Sequence, residues 1–186
     1  MSITTLILVV AIVILAVGLA AAVLLRTRRT GRLRSQFGGT EYDRAVKEGG
    51  NQRKGETELD KRAERVEGFK VQPLTPADRT RFETSWHSVQ ARFVDTPGGA
   101  VAEADQLLRD VMSVRGYPMS DFEQRAADIS VDHPNVMTNY RAAHEIAVRQ
   151  TNGQAGTEDL RQAMIHYRSL FEELVSEQDS TLREAV

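Results

Sequence analysis

An uninterrupted apolar run near the start of the chain limits what it can fold into more than any other feature. From Ile3 to Leu25 no residue is charged, and Ile, Leu, Val and Ala dominate. A helix rising about 1.5 Å per residue covers roughly 34 Å over that run, enough to cross the ~30 Å hydrocarbon layer of a bilayer with slight tilt. Each central Leu, Ile or Val favours insertion by roughly 0.3 to 0.6 kcal/mol, and no charge opposes the sum. The run therefore predicts a transmembrane helix with the lipid bilayer as its partner.

Arg26, Arg28, Arg29, Arg32 and Arg34 follow the run, whereas Met1 to Thr5 carries no Lys or Arg. Positive charge stays on the cytoplasmic side, so the order predicts a single-pass cell-membrane protein with its N-terminus outside and its domain inside. A cleaved secretory signal is the alternative, with Gly18, Ala20, Ala21 and Ala22 offering small residues for a peptidase and a secreted product following. The missing basic residues ahead of the run and its length speak against that. The five arginines also suit anionic lipid headgroups, but topology alone accounts for them.

Every Asp and Glu lies at or after Glu41. With five of the 24 basic residues at the anchor, 19 remain against 26 acids, a balance of about -7. Nucleic-acid binding rests on neutralising phosphates, so nucleic acid is not expected as a partner. The chain has no cysteine, which excludes disulfides, thiolate metal sites and cysteine nucleophiles.

Beyond the anchor and its basic flank, residues 1–29, the glycines at 31, 38, 39, 49, 50 and 55 interrupt a charged stretch. Residues 30–72 thus read as a flexible tether carrying one marginal helix, with Leu59, Ala63, Val66 and Phe69 on a thin apolar stripe. Phe37 and Tyr42 read as interfacial anchors.

From Pro73 the signals sharpen into a bundle domain, residues 73–178, followed by a frayed tail, residues 179–186. Thr75 with Pro76 and Asp78 starts a helix, and Phe82, Trp86, Val89 and Phe93 share one face. Thr96 and Pro97 start the next, with Val101, Ala104, Leu107, Leu108, Val111 and Met112 inward and Gly116 ending it. Ser120 with Glu123 reads as a capping box for a short helix presenting Phe122, Ala126 and Ile129. Asp132, His133 and Pro134 restart the chain toward Tyr140, Ala143 and Ala147, and Asn152 with Gly153 break it. The last stripe, Leu160, Ala163, Met164, Tyr167, Leu170, Phe171 and Leu174, is the most regular. No alternating strand pattern appears, so the fold class is all-α: a transmembrane helix, a charged tether and a bundle of about four to five helices.

Chemistry is hard to place on this pattern. His144 precedes Glu145 but lacks a second histidine at zinc-protease spacing, and none of the four histidines has Glu three residues before it. A looser metal site would use Asp132, His144 and His166 across facing helices; core-edge histidines explain the same positions. Phosphate loops and nucleophile elbows are missing. No cofactor and no catalytic residue is therefore expected. The polar residues Arg115, Tyr117, Arg125, Asp128, Asp132 and His133, with Phe122 among them, cluster at predicted helix ends and form the candidate interaction surface for an unidentified protein partner. Helix capping and surface ion pairing would draw on the same residues.

The strings ARFVDTP, AVAEADQLL, RGYPMSDFEQRAADISVDHP and NYRAAHEIAVR, within residues 91–149, resemble an uncharacterised family of bacterial proteins with an N-terminal membrane anchor. FGGTEYDRAV and EDLRQAMIHYRSLFEEL extend the likeness to both sides. The resemblance implies a bacterial envelope protein and no particular activity. The resulting expectation is a membrane-tethered interaction or scaffold module at the cytoplasmic face, without catalysis of its own. The alternative is a ligand- or metal-binding bundle using His144 and His166.

Overall fold

A computed structural model describes residues 3–176, and the expected frayed tail lies outside them. The described residues form seven α-helices and no strand: α1 (Ile3–Gly49), α2 (Gln52–Glu67), α3 (Pro76–Arg92), α4 (Pro97–Arg115), α5 (Phe122–Asp132), α6 (Met137–Thr151) and α7 (Thr157–Ser176). A 3₁₀ turn, Pro134–Val136, sits between α5 and α6. The total is seven against the four to five expected of the bundle: α3–α7 make five, and α1 and α2 precede them.

That stretch contains its own core. Leu33, Phe37, Tyr42, Ala45 and Leu59 are buried together, with Val46, Ala63 and Val131 packed against them. Phe37 and Tyr42 are thus interior residues, not interfacial anchors. The chain achieves this by folding back at Gly38, whose φ of 66° interrupts α1. Such a backbone favours glycine because a Cβ would clash with its own chain. Thr30 Oγ1 donates to Glu56 Oε1 at 2.6 Å, and Tyr42 Oη donates to the same oxygen at 2.8 Å. On a straight helix Thr30 and Tyr42 would stand about 18 Å apart along the axis. The second arm of α1, residues 39–49, therefore returns toward the apolar end, and α2 then runs away from it.

Glycines that looked like linker residues are contact points in this hairpin. A Cβ on Gly55 would stand 2.6 Å from Val46 Cα, and one on Gly49 would stand 2.7 Å from Gly55 N. Only bare backbone allows the second arm and α2 to approach so closely. Charge composition and glycine content mimic a tether, while sparse large side chains supply just enough apolar surface for a small core.

The larger core belongs to the bundle, where α7 packs against both α4 and α6, and α3 against α4. The predicted stripes of α4 and α7 are buried residue for residue, as are Phe82, Trp86 and Val89 of α3. Burying a side chain of this size is worth about 1.5 to 3 kcal/mol. Thr75 caps α3, accepting from Asp78 N at 3.1 Å, and Gly116 ends α4 with φ 96°. Two caps differ from expectation. Asp121, not Ser120, caps α5 by accepting from Gln124 N at 2.9 Å. Neither Asp132 nor His133 provides a side-chain cap to α6, because the 3₁₀ turn at Pro134 intervenes and has no side-chain cap; His133 instead closes α5, its N–H donating to the Ile129 carbonyl at 2.8 Å.

Among the described residues one helix, the N-terminal one, is long and apolar enough to cross a membrane by length and composition, and its apolar window is wholly unburied.

Candidate functional site

The folded hairpin meets the bundle through charged side chains taken out of water. Arg141 of α6 donates from Nε to Glu41 Oε1 at 3.2 Å and from Nη1 to Glu123 Oε2 at 2.9 Å. Glu41 is 2% exposed and Arg141 is 7% exposed. Arg65 of α2 donates from both Nε and Nη2 to Asp128 Oδ1 of α5, at 2.8 and 2.6 Å, and Gln124 donates to the same oxygen. Val131 and Pro134 add apolar contact, the latter against Gly38. A buried ion pair contributes little net stability, yet losing one partner is severe, so such a pair fixes one arrangement of its two elements.

Glu56 lies at the heart of the hairpin. Burial alone would push its carboxyl up, but hydrogen bonds from Thr30, Gln52 and Tyr42 outweigh that and hold it below the usual carboxylate range. The same contact, with burial leading, raises the Tyr42 phenol.

Five of the seven residues expected to form an interaction surface are interior: Arg115, Tyr117, Arg125, Asp128 and His133. Each is used within the fold. Arg115 donates from Nη1 to the Leu174 carbonyl at 3.2 Å and lies 3.4 Å from His133 Nε2. His133 Nδ1 is 3.3 Å from Glu173 Oε1. Tyr117 Oη donates to Asp132 Oδ2 at 2.7 Å, and Arg125 donates to Tyr140 Oη and the Ser120 carbonyl. Asp132 stays exposed, and Phe122 is half-buried with its ring stacked on His144 at 3.5 Å between centroids. These residues hold the ends of α4, α5 and α7 together.

Burial depresses the pKa of His133, with Arg115 adding to the effect and Glu173 opposing it. Burial also pushes the Tyr117 hydroxyl well up, reinforced by its bond to Asp132. His144 is shifted down, again by burial first.

Asp132, His144 and His166 are not brought together. Among the described residues no group of three or more His, Asp or Glu side chains is placed to hold a metal ion. Asp132 is engaged by Tyr117 and His144 by Phe122, so the looser metal site has no geometric basis here.

Comparison with protein-family models, curated proteins and solved structures finds no match to this chain. The site therefore stands on its own geometry.

An exposed groove of about 510 Å³ lies between α3 and α7. Trp86 and Phe171 stack in its floor with ring centroids 4.8 Å apart, and Glu83, His87, Arg168 and Glu172 stand at its rim. Sequence reasoning assigned Trp86 and Phe171 to the core, correctly, but could not place two stripes side by side with a gap between them. Glu41 and Arg141 were missed altogether. A charged residue inside an otherwise buried stretch was their only local signal.

Proposed function

We propose that the protein is a single-pass, membrane-anchored interaction module of the bacterial envelope. Its N-terminus would lie outside and its helical domain on the cytoplasmic side, where it would present a protein-binding face without chemistry of its own. The observation that carries this reading is the continuity of α1, which passes from the apolar segment directly into the hairpin core around Leu33 and Phe37. That core is joined to the bundle by Glu41 with Arg141 and by Arg65 with Asp128. A domain attached in this way is displayed at a set depth instead of sampling a tether's volume. The arginine-rich flank supports the cytoplasmic assignment.

The α3/α7 groove suits a protein segment that inserts an apolar side chain over Trp86 and Phe171 while offering charges of both signs to the rim. Its mixed rim, Glu83 on one side and Arg168 with Glu172 on the other, favours such an amphipathic segment over a uniformly charged one.

The test is affinity capture of the full-length protein from its native membranes beside two variants: one with an unrelated anchor of equal length, one with Glu83→Arg and Glu172→Arg. A stoichiometric partner kept by the anchor variant and lost by the rim variant supports the proposal. Capture unaffected by the rim changes, or absent from all three, overturns it.

A further inference from the structure

We infer that the turn between the second arm of α1 and α2 rests on the membrane surface, where Lys47, Arg53 and Lys54 join Arg26 and Arg28 in a binding face for anionic lipid headgroups. The inference rests on the reading that the apolar segment of α1 lies in a bilayer.

Register places the turn. Gln52 Nε2 donates to Thr30 Oγ1 at 3.0 Å, and Thr30 Oγ1 donates to Glu56 Oε1. The first turn of α2 thus lies level with Thr30 or nearer the apolar segment. Lys54 and Gly55 sit against Gly49, so the end of the second arm is held at the same height. Thr30 is five positions beyond Leu25, about 7 Å along a helix axis. The headgroup layer is roughly 5 to 7 Å deep on each side of the hydrocarbon. Residues 47–54 therefore fall within or at the edge of that layer.

The distribution of ion pairs points the same way. Arg29 and Arg32 pair with Asp60, Arg34 with Asp43 and Arg44 with Glu48. Arg26, Arg28, Lys47, Arg53 and Lys54 are all exposed, and none forms an ion pair with another described residue. Arg29, Arg32, Arg34 and Arg44 are neutralised by the domain's own acids, whereas these five, at the bilayer end, are left to solvent and lipid; Lys61 and Lys70, which are exposed as well, stand further from it. Topology accounts for Arg26 and Arg28, but a charge signal acts only within about 15 to 20 residues of the span. Lys47, Arg53 and Lys54 lie further along the chain and reach the bilayer only because α1 folds back at Gly38. Each such charge near an anionic surface strengthens attachment about fivefold.

Because the chain has no cysteine, an introduced one labels uniquely. Full-length protein carrying a fluorophore at Arg53→Cys is placed in nanodiscs of neutral lipid or of lipid containing phosphatidylglycerol, with nitroxide on the headgroups. Leu15→Cys with acyl-chain nitroxide reports insertion of the anchor, and Ser88→Cys on α3 serves as a remote control. The expected result is quenching at 53, strongest in anionic discs and absent at 88. Lys47→Gln with Lys54→Gln should weaken the anionic preference by about fivefold for each charge removed. Quenching at 15 but not at 53, or equal quenching at 53 in neutral and anionic discs, overturns the inference and leaves the membrane reading intact. No quenching at 15 removes the membrane reading itself, and the headgroup face with it.

Discussion

Arg141 Nε donates a hydrogen bond to Glu41 Oε1 at 3.2 Å, joining residues 100 positions apart. The pair is the most buried ionic link between the N-terminal hairpin and the bundle. Glu41→Ala leaves Arg141 with only the exposed Glu123, and an unpaired buried charge typically costs about 3 to 5 kcal/mol. Urea unfolding of the full-length protein in detergent should show a loss of that order. Replacing both partners, Glu41→Met with Arg141→Leu, should recover most of it; a double variant as unstable as the single one would show that the link is not paired as described.

Two glycines that look alike in sequence should respond oppositely to alanine. A Cβ on Gly55 meets Val46 Cα and the Ala45 carbonyl, both backbone atoms that cannot rotate away. Gly55→Ala should cost at least the ~1 to 3 kcal/mol of overpacking. Gly31 has nothing within 4 Å of such a Cβ, and Gly31→Ala should gain about 0.5 to 1 kcal/mol through the helix. Thermal melts of the two variants side by side decide the matter.

Phe37 is fully buried. Phe37→Ala should cost about 3 to 5 kcal/mol, and the loss should be local at first. Hydrogen exchange is the measurement: amides of residues 39–67 are slow in the parent protein and fast in the variant, before those of α4 and α7 change. Fast exchange over 39–67 in the parent itself would restore the tether.

Acid should destabilise the fold through His133. Its folded pKa lies below the unfolded value because burial disfavours the charged ring. Stability is therefore complete above about pH 6.5 and declines as pH falls from there toward the folded value, by at most about 1.4 kcal/mol per pH unit for this one group. His144 is shifted in the same direction. His133→Gln should flatten the decline between pH 6.5 and 5, read from denaturation midpoints across that window. An unchanged slope would assign the acid sensitivity to other groups.

The bundle was legible because its helices announce themselves locally. Thr75 with Pro76, and Gly116 after Arg115, mark ends through contacts within one turn of chain, and the stripe from Leu160 to Leu174 marks its inward face by spacing alone. The hairpin was not legible because its determinants are distant in sequence. Gly55 reads as a breaker until Val46 is known to lie beneath it, and Glu56 reads as a surface acid until Thr30, Gln52 and Tyr42 converge on it. The burial of most of the candidate surface was hidden for a related reason. Arg115, Tyr117 and His133 were grouped correctly as neighbours at helix ends, but composition could not reveal that Leu174 and Glu173 close over them.

The separation between Glu41 and Arg141 also sets an order of events during synthesis. At about 5 to 20 residues per second, a ribosome delivers Arg141 roughly 5 to 20 seconds after Glu41. The apolar segment, the residues of the fold-back at Gly38 and those of α2 are all synthesised early in that interval. For those seconds the nascent hairpin carries an acid awaiting its counterion, and only the arrival of α6 neutralises it.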